Sequence, residues 1–214
     1  VTEWAEIVLI LAAMANLVLL GSSRQRLCIR AVAVQGVSLG LFTLLAHASD
    51  LSVHVFILAT MGVVLKGLVF PTLLFRTLEH TELRREAAPA VGYTASILAG
   101  IGMLAAALWL STRLPALGLN VSPLVLPTAL WTIFVGLFTV VARPQAISQV
   151  LGYLVLENGI FLFGAALVGE MPFLVEIGGL LDVFVAVFVM GIAIFHINRE
   201  FEHLDTDRMS ALKD

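Results

Sequence analysis

Seven apolar runs, each about as long as a membrane-crossing helix, alternate with short polar breaks along the chain. They cover residues 4–21, 28–46, 51–75, 90–111, 124–142, 148–168 and 173–197. A helix crosses the hydrocarbon core in about 20 apolar residues, because every backbone amide there must be bonded within the helix. The breaks carry turn chemistry: Gly21-Ser22-Ser23, Ala48-Ser49-Asp50, the charged stretch from Arg76 to Glu86 with Pro89, Pro115 to Pro123, Arg143-Pro144, and Gly169 to Pro172. The runs are too long for barrel strands and lack their strict alternation. The expected fold is an all-α integral membrane protein with seven transmembrane helices.

Composition agrees. Of 214 residues, 60% are hydrophobic and 13% charged, with a mean hydropathy of +1.03. A water-covered domain carries about 25% charged residues, so much of this surface is expected to face lipid. A net charge of −3 gives no reason to expect a nucleic-acid partner. With Cys28 as the single cysteine, neither an internal disulfide nor a cysteine-based cluster is available to the chain. The first run lacks a basic leader and an Ala-x-Ala exit, so it is expected to be retained as a helix.

Basic residues orient the bundle. The connections after helices one, three, five and seven hold Arg24, Arg26 and Arg30; Arg76, Arg84 and Arg85; Arg143; and Arg199, Arg208 and Lys213. The opposite side holds only Arg113, and Lys66 lies within helix three. Basic residues gather on the cytoplasmic side, which predicts an external N-terminus and a cytoplasmic C-terminus in a prokaryotic inner membrane. Three parts follow: 1–111, a four-helix membrane segment; 112–197, a three-helix module; and 198–214, a polar cytoplasmic tail.

Function is sought in the ionisable residues inside the spans. Each costs roughly 2.5–3.5 kcal/mol at mid-membrane and therefore faces protein or water. The candidates are Lys66 in helix three, Glu157 in helix six, and Glu176 and Asp182 in helix seven. Helices six and seven are joined by a very short turn and must run antiparallel. Helical rise puts Glu157 about 21 Å from that turn, Asp182 about 16–17 Å and Glu176 about 7 Å. Burial and a neighbouring cation act in opposite directions on a carboxyl's hold on its proton. A carboxyl so placed suits a proton relay, with Lys66 as a counter-charge; static pairing between helices is the simpler alternative.

Other polar insertions read as structural. Asn16 and Gln35 are expected to make interhelical hydrogen bonds. His47 and His54 do not form a metal site, and His196 reads as an interfacial side chain. Gly36, Gly40 and Gly178-Gly179 allow close helix approach, and Pro71 frees a carbonyl in helix three. The sequence has no Gly-rich phosphate loop, HExxH, CxxC or serine-nucleophile elbow, hence no visible apparatus for self-contained catalysis.

The stretches "GYLVLENGIFLFG" and "GGLLDVFVAVFVMGIAIFHI" resemble the small K-type (NuoK) subunit of respiratory complex I, which has three helices and two embedded glutamates. Glu157 matches the first glutamate. Asp182 stands for the second, one methylene shorter and after a shorter loop, so 112–197 reads as a NuoK-like module. With four helices ahead of it, the whole chain resembles component E of the hydrogenase-4 type (HyfE), carried by "LVLENGIF" and "LVEIGGLLDVFVAVFVMGI".

That resemblance implies a non-catalytic membrane-arm subunit of a group 4, formate hydrogenlyase-like hydrogenase or related oxidoreductase. It would pass protons between antiporter-like subunits, beside a proximal membrane subunit. Nickel–iron and iron–sulfur centres would belong to partner subunits, with no cofactor in this chain. A multisubunit cation/proton antiporter subunit and a structural membrane spacer are the alternatives. A retinal protein is disfavoured because helix seven offers no lysine for a Schiff base.

Overall fold

The computed structural model describes residues 2–46, 53–81, 91–114 and 122–167. Among these, every regular element is helical: α1 (Thr2–Gly21), α2 (Gln25–Ala46), α3 (Val53–Val64), a π-helical turn (Leu65–Val69), α4 (Phe70–Thr81), α5 (Tyr93–Ser111), α6 (Val125–Ala142) and α7 (Ala146–Leu167). The backbone stays right-handed helical at Val64 and Phe70 on either side of the π turn. The α3, π-turn and α4 segments therefore continue one another as a single rod.

Six rods thus occupy the positions of the first six expected spans, the third running on to Thr81 rather than ending at 75. The expected seventh span, 173–197, lies outside the described residues, as do Glu176, Asp182, Gly178, Gly179, His196 and the tail. Among the described residues, four stretches are long and apolar enough to cross a membrane: Thr60–Leu78, Tyr93–Ser111, Val125–Ala142 and Ala146–Gly164; Glu6–Gly21 is apolar but shorter.

Burial follows the logic of lipid rather than water. Ile10 and Met14 on α1, Leu68 in the π turn, Leu98 and Trp109 on α5, and Val141 on α6 are all exposed. Asn16, Gln35, Thr132, Glu157 and Asn158 are buried. In water this distribution would leave apolar side chains solvated and polar ones stranded. In a bilayer it is the low-energy arrangement, since polar groups must find partners within the protein.

Packing sets the site. Helices α6 and α7 form a hairpin in backbone contact through three glycines. A Cβ at Gly136 would stand 2.4 Å from the Leu156 amide nitrogen, one at Gly152 2.9 Å from the Gly136 carbonyl oxygen, and one at Gly159 2.6 Å from the Ile133 nitrogen. Small residues let helices approach where lipid offers no hydrophobic drive between them. Helix α1 packs on α2, α5 and α6, while α2 lies between α1, α7 and the α3–α4 rod. Polar side chains of five rods thereby meet in the interior.

Candidate functional site: a buried ion pair and an amide ladder

The site begins with a local irregularity in the third rod. Proline has no amide hydrogen and its ring crowds the carbonyl four residues earlier. Pro71 follows the π turn, in which the Phe70 amide donates to the carbonyl of Leu65, one residue further back than in an α-helix. The extra residue widens the turn that carries Lys66. Single π turns of this kind recur at functional positions.

Opposite the turn, α2 presents Gly36. A Cβ there would come within 2.7 Å of Lys66 Cβ, so only glycine lets the lysine stem lie so close to α2. The stem then crosses to α7, where Nζ is 2.7 Å from Glu157 Oε1. The carboxylate side chain is 2% exposed and that of lysine 14%. Glu157 lies about 16 Å along α7 from Ala146 and about 15 Å from Leu167, by helical rise. The pair thus bridges α7 and the third rod near mid-helix.

Lys66 has a second partner. Its ammonium donates to Asn158 Oδ1 at 3.1 Å, and from there a ladder of side chains crosses the bundle. Asn158 Nδ2 donates to Gln35 Oε1 at 3.4 Å. Gln35 Nε2 donates to Asn16 Oδ1 at 3.1 Å and to the Ala12 carbonyl at 3.2 Å. Asn16 Nδ2 donates to Thr132 Oγ1 at 2.9 Å, and the threonine hydroxyl donates to the Thr128 carbonyl at 2.7 Å. Beside Lys66 and Asn158, a cleft of about 10 Å³ is walled by Val32, Phe70 and Leu154, which is about the size of one water molecule.

Two of the four proton-transfer candidates, Lys66 and Glu157, are therefore in direct contact; Glu176 and Asp182 lie outside the described residues. Asn16 and Gln35 make the interhelical hydrogen bonds expected of them. Asn158 and Thr132 were not singled out from sequence, although Asn158 adjoins Glu157 in "LEN". His54 lies in the first turn of the third rod, and His47 lies outside the described residues.

Fold and site together define a membrane-type protein, all-helical among the described residues, with a largely buried ionisable pair between its helices. The chain is 31% identical over 190 residues to the uncharacterized protein Rv0085 of Mycobacterium tuberculosis, covering 88% of this chain and 86% of that protein. It belongs to that family. Hydrogenase-4 component E of Escherichia coli K12 is 38% identical over 88 residues, and that of Shigella flexneri matches to the same extent. This likeness spans 41% of this chain and 41% of component E, where the sequence led us to expect it over essentially the whole length. No protein-family model and no solved structure matches the chain.

Proposed function

We propose that the chain is a membrane subunit of a complex I-related, formate hydrogenlyase-like hydrogenase or oxidoreductase assembly, in which it relays protons between antiporter-like subunits. The partial likeness to hydrogenase-4 component E supports the class of assembly. The observation that carries the relay is the 2.7 Å contact between Lys66 Nζ and Glu157 Oε1 deep among apolar helices. A proton arriving at Glu157 neutralises the carboxylate and weakens the ion pair; its departure restores it. A buried carboxyl with a fixed cation beside it thus has two states separated by one proton.

In this reading Glu157 is the carrier, Lys66 its counter-charge, and Asp182 and Glu176 are the next stations on helix seven. Redox chemistry belongs to partner subunits that hold nickel–iron and iron–sulfur centres, reached through a proximal membrane subunit. The chain sits in the prokaryotic cytoplasmic membrane with its C-terminus in the cytoplasm, as the basic connections suggest.

The test is Glu157→Gln in the assembled complex, with proton movement into inverted vesicles followed during electron transfer. Most of the coupled movement is expected to vanish while the complex still assembles. Unchanged coupling would sink the relay. The closeness of the ion pair also favours a static reading, in which Lys66 and Glu157 only fasten α7 to the third rod. Under it, Glu157→Gln weakens assembly and leaves coupling per assembled complex intact. Purification in mild detergent separates the partner sets: hydrogenase subunits support the proposal, and antiporter subunits alone point to a cation/proton antiporter.

A further inference from the structure

The amide ladder behind Lys66 has a direction, and both ends enforce it. A lysine ammonium only donates hydrogen bonds, so Asn158 must turn its carbonyl oxygen towards Lys66 and its amino group towards Gln35. Gln35 must then offer its oxygen to Asn158 and its amino group to the far side. There it meets the Ala12 carbonyl, which only accepts, at 3.2 Å, and Asn16 Oδ1 at 3.1 Å. Every link from Lys66 to the Thr128 carbonyl runs donor to acceptor in the same sense. Asn16, Gln35 and Thr132 are 0% exposed and Asn158 is 1% exposed, so water does not compete for these bonds.

We infer that Asn158, with Gln35 and Asn16 behind it, is a set of positioning residues that holds the Lys66 ammonium in place in both protonation states of Glu157. The ladder's dipoles all present their negative ends towards Lys66. When Glu157 takes up a proton the ion pair is lost, but the bond to Asn158 Oδ1 and the field behind it remain. Primary amides and a threonine hydroxyl facing them neither release nor accept protons readily near neutral pH. The ladder thus anchors the cation without opening a second route across α2 and α1, and the proton traffic stays with Glu157. Among the described residues meeting here, α1, α2 and α6 contribute only neutral groups (Asn16, Gln35, Thr132), and the charged pair is Lys66 and Glu157. The functional meaning rests on the relay proposed above, but the anchoring does not.

The chain contains two lysines, Lys66 and Lys213, which permits a direct test. The full chain is labelled with side-chain ¹⁵N-lysine in lipid bilayers, and the Lys66 resonance is assigned with Lys213→Arg. Glu157→Gln stands in for the protonated carboxyl. In that variant the Lys66 signal is expected to persist as a hydrogen-bonded, slowly exchanging ammonium. Adding Asn158→Leu should speed that exchange far more than Asn158→Leu does alone. Gln35→Met added to Glu157→Gln leaves Asn158 in place, is gentler on folding than Asn158→Leu, and should speed Lys66 proton exchange several-fold. Loss of the signal in Glu157→Gln alone, or unchanged exchange in the Gln35→Met variant, overturns the inference. If the resonance behaves as expected but Glu157→Gln leaves proton movement untouched, the relay fails and the ladder stands.

Discussion

Two cations among the described residues, one largely and one fully buried, are held in opposite ways. Lys66, in the interior, is shared between a carboxylate at 2.7 Å and an amide oxygen at 3.1 Å. Arg143, where the α1–α2 and α6–α7 connections meet, is 7% exposed, donates to the Leu20 carbonyl at 3.0 Å, and lies 4.3 Å from the centre of the Tyr93 ring. A guanidinium is a permanent cation, and a helix C-terminus carries unsatisfied carbonyls that favour one. Nearby, Gln25 donates to Gln145 and, at 2.9 Å, to Ser148 Oγ, tying the same two connections together. The Arg143 cluster is a clamp with one state. In the proposed relay the Lys66 cluster has two, because a carboxylic acid and its anion make different contacts with an ammonium.

Removing one member of the Lys66–Glu157 pair should have the largest effect of any single change in the bundle. Lys66→Met leaves a carboxylate in a site where it is 2% exposed, and stripping a partner from a buried pair costs about 3–5 kcal/mol. The unfolding midpoint in detergent should fall accordingly. Pairing it with Glu157→Leu should restore most of the loss, because two apolar groups of similar volume need no counter-charge. A double variant as unstable as the single one would mean that the pair contributes net stability, as the Arg143 clamp is expected to.

Arg143→Gln tests that clamp. Losing a charged hydrogen bond and the ring contact should lower stability by roughly 1.5–3 kcal/mol, read from the same unfolding curve. Proton movement per assembled complex should be unaltered. Arg143→Lys keeps the charge but loses the flat fork and the stacking surface, and should recover only part of the stability. A change in coupling with either variant would erase the distinction between the two cations.

The sequence was informative about spans and poor about neighbours. Apolar length marks a crossing helix without reference to anything else, so the first six expected runs coincide with six observed rods. Which rods touch depends on features that length does not encode. The α6–α7 contact rests on Gly136, Gly152 and Gly159, whereas the glycine pairs that the sequence marks for close approach are Gly36 with Gly40 and Gly178 with Gly179. Gly36 does allow a close approach, but to the stem of Lys66. Nothing in one dimension places residue 66 beside 157, and Pro71, read only as freeing a carbonyl, stands two residues past the turn that reshapes the helix. Asn158 was overlooked because an amide beside a mid-membrane carboxyl draws less notice than the carboxyl, though amides are what satisfy an ammonium without neutralising it.

Gly36→Ala would move the ion pair without changing its chemistry. The added methyl would stand 2.7 Å from Lys66 Cβ and 3.1 Å from its Cδ, so the lysine stem or α2 must shift. Overpacking of this kind costs about 1–3 kcal/mol, and here the upper part of that range is expected because the nearest atom, Lys66 Cβ, moves only with its own backbone. If the relay depends on the spacing, coupling should drop by more than this destabilisation accounts for. Equal coupling at equal assembly would show that Glu157 tolerates a displaced cation, and the Lys66 site would then resemble the Arg143 clamp more closely than proposed.

The smallest effect belongs to a third cation, Arg113, which lies 5.6 Å from the Trp109 ring centre just beyond the C-terminal end of α5. Arginine and ring are both exposed, so the contact competes with hydration and is worth at most about 0.5–1 kcal/mol. Arg113→Ala should therefore shift the unfolding midpoint little and leave coupling unchanged. A large loss in detergent would mean that this end of α5 is packed in a way the isolated chain does not reveal. A loss confined to the native membrane, absent in detergent, would instead point to lipid contact at Trp109, where a ring of that kind commonly sits at the headgroup level. In either case the cost of removing a cation would follow what surrounds it rather than its charge, which is the same rule that separates Lys66 from Arg143.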